Sequence, residues 1–379
     1  MRTFALRALP AAAMAGGVLL LVAACSSPSG GAGGGASRGP VATARSAADL
    51  GGMDKLIEAA RKEGTLNVIA LPPDWANYGE MLKSFQDKYG IKINSAQPDA
   101  NSQDEINAAR QLKGQGRAPD VFDLGINVAL ANTSLFAPYQ VAEWKDVPDR
   151  LKDASGLWVS DYTGYMSIGY DAAKVPAPTS VDDLLKPAYK GKVALNGDPT
   201  QASAGFHGVM MAAVANGGSA DDIAPGVEFF KKLKAAGNLL PVDPTPATIA
   251  AGQTPVVIDW DYLNLAQTIA LKGKLDWRVV VPKNAVVGAY YVQAINKDAP
   301  HPAAARLWEE YLYSPEGQNI WLKGFARPVL ADVMLRNGTI DRKAFAKLPP
   351  ASGTPVVLTP DQLRKAQDYL QSHWQQAVA

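Results

Sequence analysis

The chain has 379 residues, 47% hydrophobic and 19% charged, with 37 Lys and Arg against 36 Asp and Glu. That length suggests two domains or lobes, and the apolar content excludes wholesale disorder. A net charge of +1 removes the usual electrostatic case for nucleic acid, while one Cys and three His leave no internal disulfide or Cys-rich zinc site. His207, His301 and His373 share no metal-ligand spacing.

In chain order, Arg2 and Arg7 precede an almost wholly apolar run over 8–24, interrupted by Pro10, Gly16 and Gly17. A spanning helix wants about 20 good apolar residues, so the run predicts a signal peptide over 1–24. The solitary Cys25 ends Leu21-Val22-Ala23-Ala24-Cys25. This resembles the bacterial lipobox, with Val22 where Leu is commoner, and it implies lipidation of Cys25, palmitate included, after cleavage before it. Residues 25–50 follow as a Gly/Ser-rich tether. Six Gly stand in the fifteen residues 26–40, and a flexible chain of this length reaches roughly 25–30 Å. Loss of Arg2 and Arg7 with the leader would shift the charge from +1 to −1.

The body alternates helix and strand. Residues 53–62 carry Leu56, Ile57 and Ala60 at helical spacing, with Gly64 as a stop. A strand over 66–71, a helix over 79–89 closed by Gly90, a strand over 91–95, a helix over 103–113 and a strand over 120–124 follow. This βαβαβ alternation predicts a mostly parallel sheet covered on both faces. Further strands are expected near 165–170, 192–195, 255–259, 278–281 and 290–295, with a helix over 203–215. The last hundred residues read as mainly helical, with Thr359 as an N-cap.

No catalytic constellation emerges: GxxxxGK[ST], HExxH and paired Cys are all missing, and GxSxG occurs only inside the Gly-rich tether, as Gly35-Ala36-Ser37-Arg38-Gly39. Gly33-Gly34-Gly35 lies in the tether rather than in a strand-turn-helix. His207, within Gly-Phe-His-Gly-Val, reads as a packed or capping residue. An exported envelope lipoprotein enzyme is the rival of another class. It would need a nucleophile–base pair or paired carboxylates, such as Asp259 and Asp261 at i,i+2 on one strand face.

Three segments resemble the substrate-binding proteins of ABC importers, in the group serving iron, polyamine, thiamine and phosphonate uptake. They are MDKLIEAARKEGTL at 53–66, TSVDDLLKPAYKGKVALNGDP at 179–199 and APHPAAARLWEEYLYSPEGQNIWL at 299–322. The resemblance implies an α/β, two-lobed, periplasmic-binding-protein-like (type II) fold with a hinge and an interlobe cleft. Lobe 1 is expected over 51–165 and 288–325, and lobe 2 over 166–287 and 326–379. It also implies a monomer, held at the outer face of the cytoplasmic membrane by its lipid anchor. Such a carrier takes a small solute to the transmembrane subunits of an ABC permease, without cofactor, metal or catalytic residues and without nucleic acid.

In open α/β sheets ligands sit beyond the carboxyl ends of strands. That places the candidates among Asp74, Trp75, Asn77 and Tyr78; Asp123 and Asn127; Asp161, Tyr162, Thr163 and Tyr165; Asn196, Asp198, Thr200, Gln201 and Ser203; 259–262; and Tyr290 and Tyr291. The preferred ligand residues are Trp75, Tyr78, Asn127, Tyr162, Trp260, Asp261 and Tyr262. Carboxylates and aromatics dominate, and Arg is absent from the set. Asp satisfies ammonium donors, and ring faces attract desolvated cations. The expected ligand is therefore a cationic or zwitterionic organic molecule such as a polyamine. Ferric iron and a phosphonate or sugar phosphate are the alternatives. Ferric members of the group use adjacent tyrosines on a loop, whereas Tyr290 and Tyr291, if on a strand, face opposite ways.

Overall fold

The computed structural model describes residues 39–348 and 354–379. The expected leader, Cys25 and most of the tether lie outside the described residues.

The short α1 (Pro40–Thr43) leads to α2 (Met53–Glu63), which buries Leu56 and Ala60 one turn apart. Gly64 ends it with φ 71°, a left-handed C-cap that only glycine adopts cheaply. Then come β1 (Thr65–Ile69), α3 (Tyr78–Tyr89), β2 (Lys92–Ala96), α4 (Ser102–Gln111), β3 (Val121–Gly125), α5 (Ile126–Ala131) and the two-residue β4 (Phe136–Ala137). Asn101 caps α4 reciprocally with Asp104, which fixes where that helix begins. A 13-residue strand, β5 (Val159–Asp171), follows.

The middle of the chain supplies β6 (Val193–Leu195), α6 (Ser203–Ala215), α7 (Ala224–Ala235), α8 (Pro246–Ala250), β7 (Val256–Trp260), α9 (Asp261–Ala270) and β8 (Trp277–Val280). After it come β9 (Gly288–Asn296), α10 (Pro302–Leu312), α11 (Pro315–Lys323), β10 (Arg327–Pro328), α12 (Ala331–Asn337), α13 (Arg342–Phe345) and α14 (Pro360–Val378). Thr359 and Gln362 cap α14 reciprocally. The helices α5, α7 and α9 are not among the elements the sequence predicts.

The expectation of a mostly parallel sheet is corrected. β1 and β2 pair in parallel, as do β6 and β7. The larger sheet is built in the order β3-β9-β5-β7-β6, and its remaining pairings are antiparallel. The reason is that β5 and β9 run back through the sheet against the strands beside them. The alternation of helix and strand in the sequence says nothing of strand direction.

β5 changes neighbours midway. Up to Tyr165, opposite Gly288, it pairs with β9, and from Met166, opposite Trp260, it pairs with β7. One continuous strand thus serves both halves of the sheet, and the architecture is the two-lobed, type II α/β arrangement. β10 pairs with the first half of β5, at Thr163 and Tyr162. α14 packs on both α7 and α5.

Candidate functional site

The loops after β1, β2 and β6 and the carboxyl ends of β3 and β7 converge on one cavity of about 370 Å³. Its size suits a small organic molecule. Seven carboxylates line it: Asp74, Asp99, Glu105 and Asp123 on one side, and Asp198, Asp243 and Asp259 on the other. Among the described residues, no Lys, Arg or His lines it. The neutral lining includes Asn101, Ser102, Asn196, Gln201, Asn264 and Gln267, with Trp75 and Tyr291 as the aromatic walls.

The deepest carboxylates are held by the fold itself. Glu105, in the first turn of α4, accepts a bond from the Asp123 backbone N–H at 3.0 Å, and burial pushes its carboxyl well up. The Asp123 side chain is 6% exposed. Its Oδ2 accepts from the Tyr162 hydroxyl at 3.1 Å, and that hydroxyl accepts from Trp75 Nε1 at 2.8 Å. Asp123 Oδ1 accepts no hydrogen bond of normal geometry among the described residues. Burial raises the Asp123 carboxyl, against the hydroxyls of Tyr78 and Tyr162. Across the cavity, Asp259 Oδ1 accepts from Trp260 N at 2.7 Å, and burial pushes its carboxyl up to about 7. Both groups thus hold protons more tightly than an exposed Asp and gain from a cation brought beside them.

Beneath the carboxylates lies an aromatic layer. Tyr162 stacks on Tyr291 at 5.6 Å and 11°, and Trp260 stacks on Tyr262 at 6.2 Å and 7°. Trp75 meets Tyr262 and Tyr291 edge-on at 6.0 and 5.5 Å. Gln293 Nε2 donates to the Tyr78 hydroxyl at 3.0 Å and to Asp161 Oδ2 at 2.9 Å, closing the polar network behind the layer.

The expected site residues therefore occupy different places. Trp75 lines the cavity. Tyr78, Tyr162, Trp260 and Tyr262 are fully buried behind it. Asp261 opens α9 and turns away: its Oδ1 accepts from Tyr165 N at 3.0 Å and its Oδ2 from Arg327 Nη1 at 2.7 Å. It does not share a face with Asp259. The Arg327 guanidinium also lies over the Tyr165 ring, 4.3 Å from its centroid. Burial raises the Asp261 carboxyl, and Arg327 opposes that rise. Asn127 sits at the second position of α5, with Nδ2 donating to Gln367 Oε1 at 3.0 Å.

Of the wider candidates, Asp74, Asp123, Asn196, Asp198, Gln201, Ser203, Asp259 and Tyr291 line the cavity. Asp198 is partly committed locally, since its Oδ1 accepts from Thr200 N and Oγ1. Tyr290 points the other way from Tyr291 and stacks on Trp158 at 6.4 Å. Sequence reasoning missed Asp99, Glu105, Asp243 and Arg327. The first two follow the carboxyl end of β2, Asp99 in the loop and Glu105 in the first turn of α4. Asp243 lies in the connection before α8 and Arg327 in the two-residue β10, and no strand-end signal marks either. His207 is buried, its Nδ1 2.9 Å from Ser203 O, and burial lowers it to about 4, so it packs as a neutral ring.

A family model described as bacterial extracellular solute-binding protein matches residues 120–348, more than half of the chain. Solved structures with the same fold carry diverse ligands or names. An iron-bound protein, HitA, from Pseudomonas aeruginosa is 21% identical with a TM-score of 0.61, covering 83% of this chain and 99% of its own. A fructose-6-phosphate-bound periplasmic binding protein, AfuA, from Actinobacillus pleuropneumoniae is 16% identical with a TM-score of 0.62, covering 82% and 99%. A spermidine/putrescine ABC transporter protein from Listeria monocytogenes, so described provisionally, is 14% identical with a TM-score of 0.64, covering 83% and 98%. At such identities the likeness establishes fold and leaves the ligand open.

Proposed function

This chain belongs to the bacterial extracellular solute-binding proteins, and from that premise we propose that it captures a cationic or zwitterionic organic solute, such as a polyamine, in the cavity between its lobes. A solute-binding protein is a carrier for an import system rather than a catalyst. The observation that carries the choice of ligand is the lining of seven carboxylates with no basic side chain among the described residues. Each ammonium–carboxylate hydrogen bond that replaces water contributes about 1.5–3 kcal/mol. Each ring face beside a desolvated cation adds about 0.5–2 kcal/mol.

One observation favours a ligand that also bears an acid group. α6 starts at the cavity with Ala202 as N-cap, which offers no side-chain cap, so its first N–H groups are open to an anion. A purely anionic ligand would meet the carboxylates unfavourably, so a zwitterion uses the site better than a phosphonate or sugar phosphate. Ferric iron is disfavoured because Tyr290 and Tyr291 face opposite ways.

The reading includes the two lobes moving as a clamp, with lobe 1 over 51–165 and 288–325 and lobe 2 over 166–287 and 326–379. It also includes lipidation of Cys25, a membrane anchor, an ABC permease as partner and a monomeric carrier. Thermal shifts with spermidine, putrescine, thiamine, ferric citrate and methylphosphonate, a phosphonate without an amine, test the ligand class. A ligand at 100 times its Kd adds about 2.7 kcal/mol. A shift with an organic amine supports the reading. A shift with ferric citrate or the phosphonate alone overturns it. Cys25→Ser should release the protein from the membrane fraction if Cys25 is the anchor.

A further inference from the structure

We propose that Gln367 of α14 is a positioning residue that latches the cleft shut. α14 is tied to the side of the cleft that carries β6 and α7. Gln362 Nε2 donates to Asp221 Oδ1 at 3.1 Å and Lys365 Nζ to Asp221 O at 2.8 Å. Gln371 Nε2 donates to Thr200 O at 3.0 Å, and Trp374 packs edge-on against Phe230 at 5.3 Å.

Among the described residues, Gln367 is the one residue of α14 that hydrogen-bonds to both sides. Its Nε2 donates to Thr200 O at 2.9 Å, and its Oε1 accepts from Asn127 Nδ2 at 3.0 Å. Asn127 is the one residue of α5 or of the strands before it that α14 bonds among the described residues. It is 5% exposed and lies just after β3, four positions beyond Asp123, which lines the cavity. Thr200 lies two positions beyond Asp198, which lines the opposite wall. The two edges touch here: a Cβ placed on Gly125 would lie 2.2 Å from Ser203 Cβ.

An amide side chain spans two partners only while both stay within hydrogen-bond reach. Opening the cleft must therefore break one of the Gln367 bonds. The bond to Asn127 goes first, because Gln371 and Gln362 keep α14 on the other side. The geometry makes Gln367 a gauge of closure that never touches the solute. Asn127, expected from the sequence to meet the ligand, instead serves the clamp. The inference rests on the hinge motion proposed above and not on the identity of the ligand.

The test is hydrogen–deuterium exchange on the full chain without any solute, comparing the wild type with Gln367→Met and Gln367→Glu. Met keeps the length and helix preference of Gln and removes both bonds. Glu keeps an acceptor for Asn127 and loses the donor to Thr200. Amides at the contact, in 123–131 and 200–206, should exchange about two- to tenfold faster in Gln367→Met, the change that one neutral hydrogen bond supports, and stay near wild-type rates in Gln367→Glu, which keeps the bond to Asn127 while Gln371 holds α14 to Thr200. Amides of α14 itself should stay at their wild-type rates. Unchanged exchange at the contact in Gln367→Met, acceleration there no greater than that within α14, or equal acceleration in Gln367→Glu overturns the latch. As a second readout, spermidine should dissociate faster from Gln367→Met by a similar factor if it binds the wild type. If spermidine binds neither protein, the exchange result still decides the latch, and the ligand reading alone fails.

Discussion

Asp259→Asn separates the two properties argued for the cavity. Asn keeps an oxygen for the Trp260 N–H bond at 2.7 Å, exchanges the other oxygen of the carboxylate, which also interacts with Asn196, for an amide NH2, and removes the charge. A solute ammonium facing Asp259 would lose one charge-assisted hydrogen bond, about 1.5–3 kcal/mol, or roughly a 10- to 150-fold weaker Kd. The variant also changes the pH dependence of stability. The folded Asp259 carboxyl is pushed up from 3.8 to about 7, so between those values the native state holds a proton that the unfolded chain has released. The native state then binds more protons than the unfolded one, and stability contributed by this group falls as pH rises across that window. The slope approaches about 1.4 kcal/mol per pH unit at most and levels off above it. Asn has no such slope. Urea unfolding at pH 5 and pH 7.5 should therefore show Asp259→Asn gaining on the wild type by about 2 kcal/mol over that interval. Binding moves the opposite way, since a cation wants the ionised carboxylate. Wild-type affinity for an organic amine should fall as pH drops below 7, and the variant should lose part of that dependence. A stability gap that is the same at both pH values would refute the argument that burial holds this proton. A variant that binds the amine as tightly as the wild type would remove Asp259 from the site.

Gly125→Ala places a methyl 2.2 Å from Ser203 Cβ. Because the Gly125 φ of −57° suits any residue, the effect is steric rather than backbone strain. Solute affinity should fall about tenfold or more by isothermal titration, the scale of a 1–3 kcal/mol overpacking cost, and Ser203→Gly should restore it. Equal affinity of Gly125→Ala and wild type would show that this contact is not part of closure. Arg327→Met leaves the buried Asp261 without its 2.7 Å ion-pair partner. Denaturant unfolding should register a loss of about 3–5 kcal/mol, the usual cost of stranding one half of a buried pair. Adding Asp261→Asn should return most of it, and a double variant no better than the single one would deny the coupling.

The fold was legible where periodicity and punctuation agree. α2 ends at Gly64 and α14 begins at Thr359 because a left-handed glycine and a reciprocal Thr–Gln cap are local devices written in adjacent residues. The direction of β5 and β9 was not legible. Strand direction depends on which segment lies alongside, and an apolar run carries no sign of it. α9 was hidden for another reason: it starts at Asp261 directly after β7 ends at Trp260, with no connecting turn residue to mark the change of period. In the site, the strand ends lead to Asp74, Asp123, Asp198 and Asp259, which line the cavity. Arg327 was out of reach, since its partner Asp261 lies 66 positions away in the chain.

The same aromatics that the sequence offers as ligand contacts can act on the solute through the carboxylates. Trp75 donates to the Tyr162 hydroxyl, so that hydroxyl spends its own proton on Asp123 Oδ2. This fixes one carboxylate oxygen and leaves Oδ1 with no hydrogen bond of normal geometry among the described residues, in a residue that lines the cavity. An oxygen so held is pre-organised for an ammonium and loses little freedom when one arrives. The stacked rings of Tyr162, Tyr291, Trp260 and Tyr262 exclude water from behind the carboxylates, which is why those carboxylates sit high in pKa. Low local polarity also strengthens any ion pair formed there. On the reading proposed above, a chain with a net charge of +1 needs no global acidic field to select a cation, because the discrimination would be made within a few ångströms of Asp123 and Asp259.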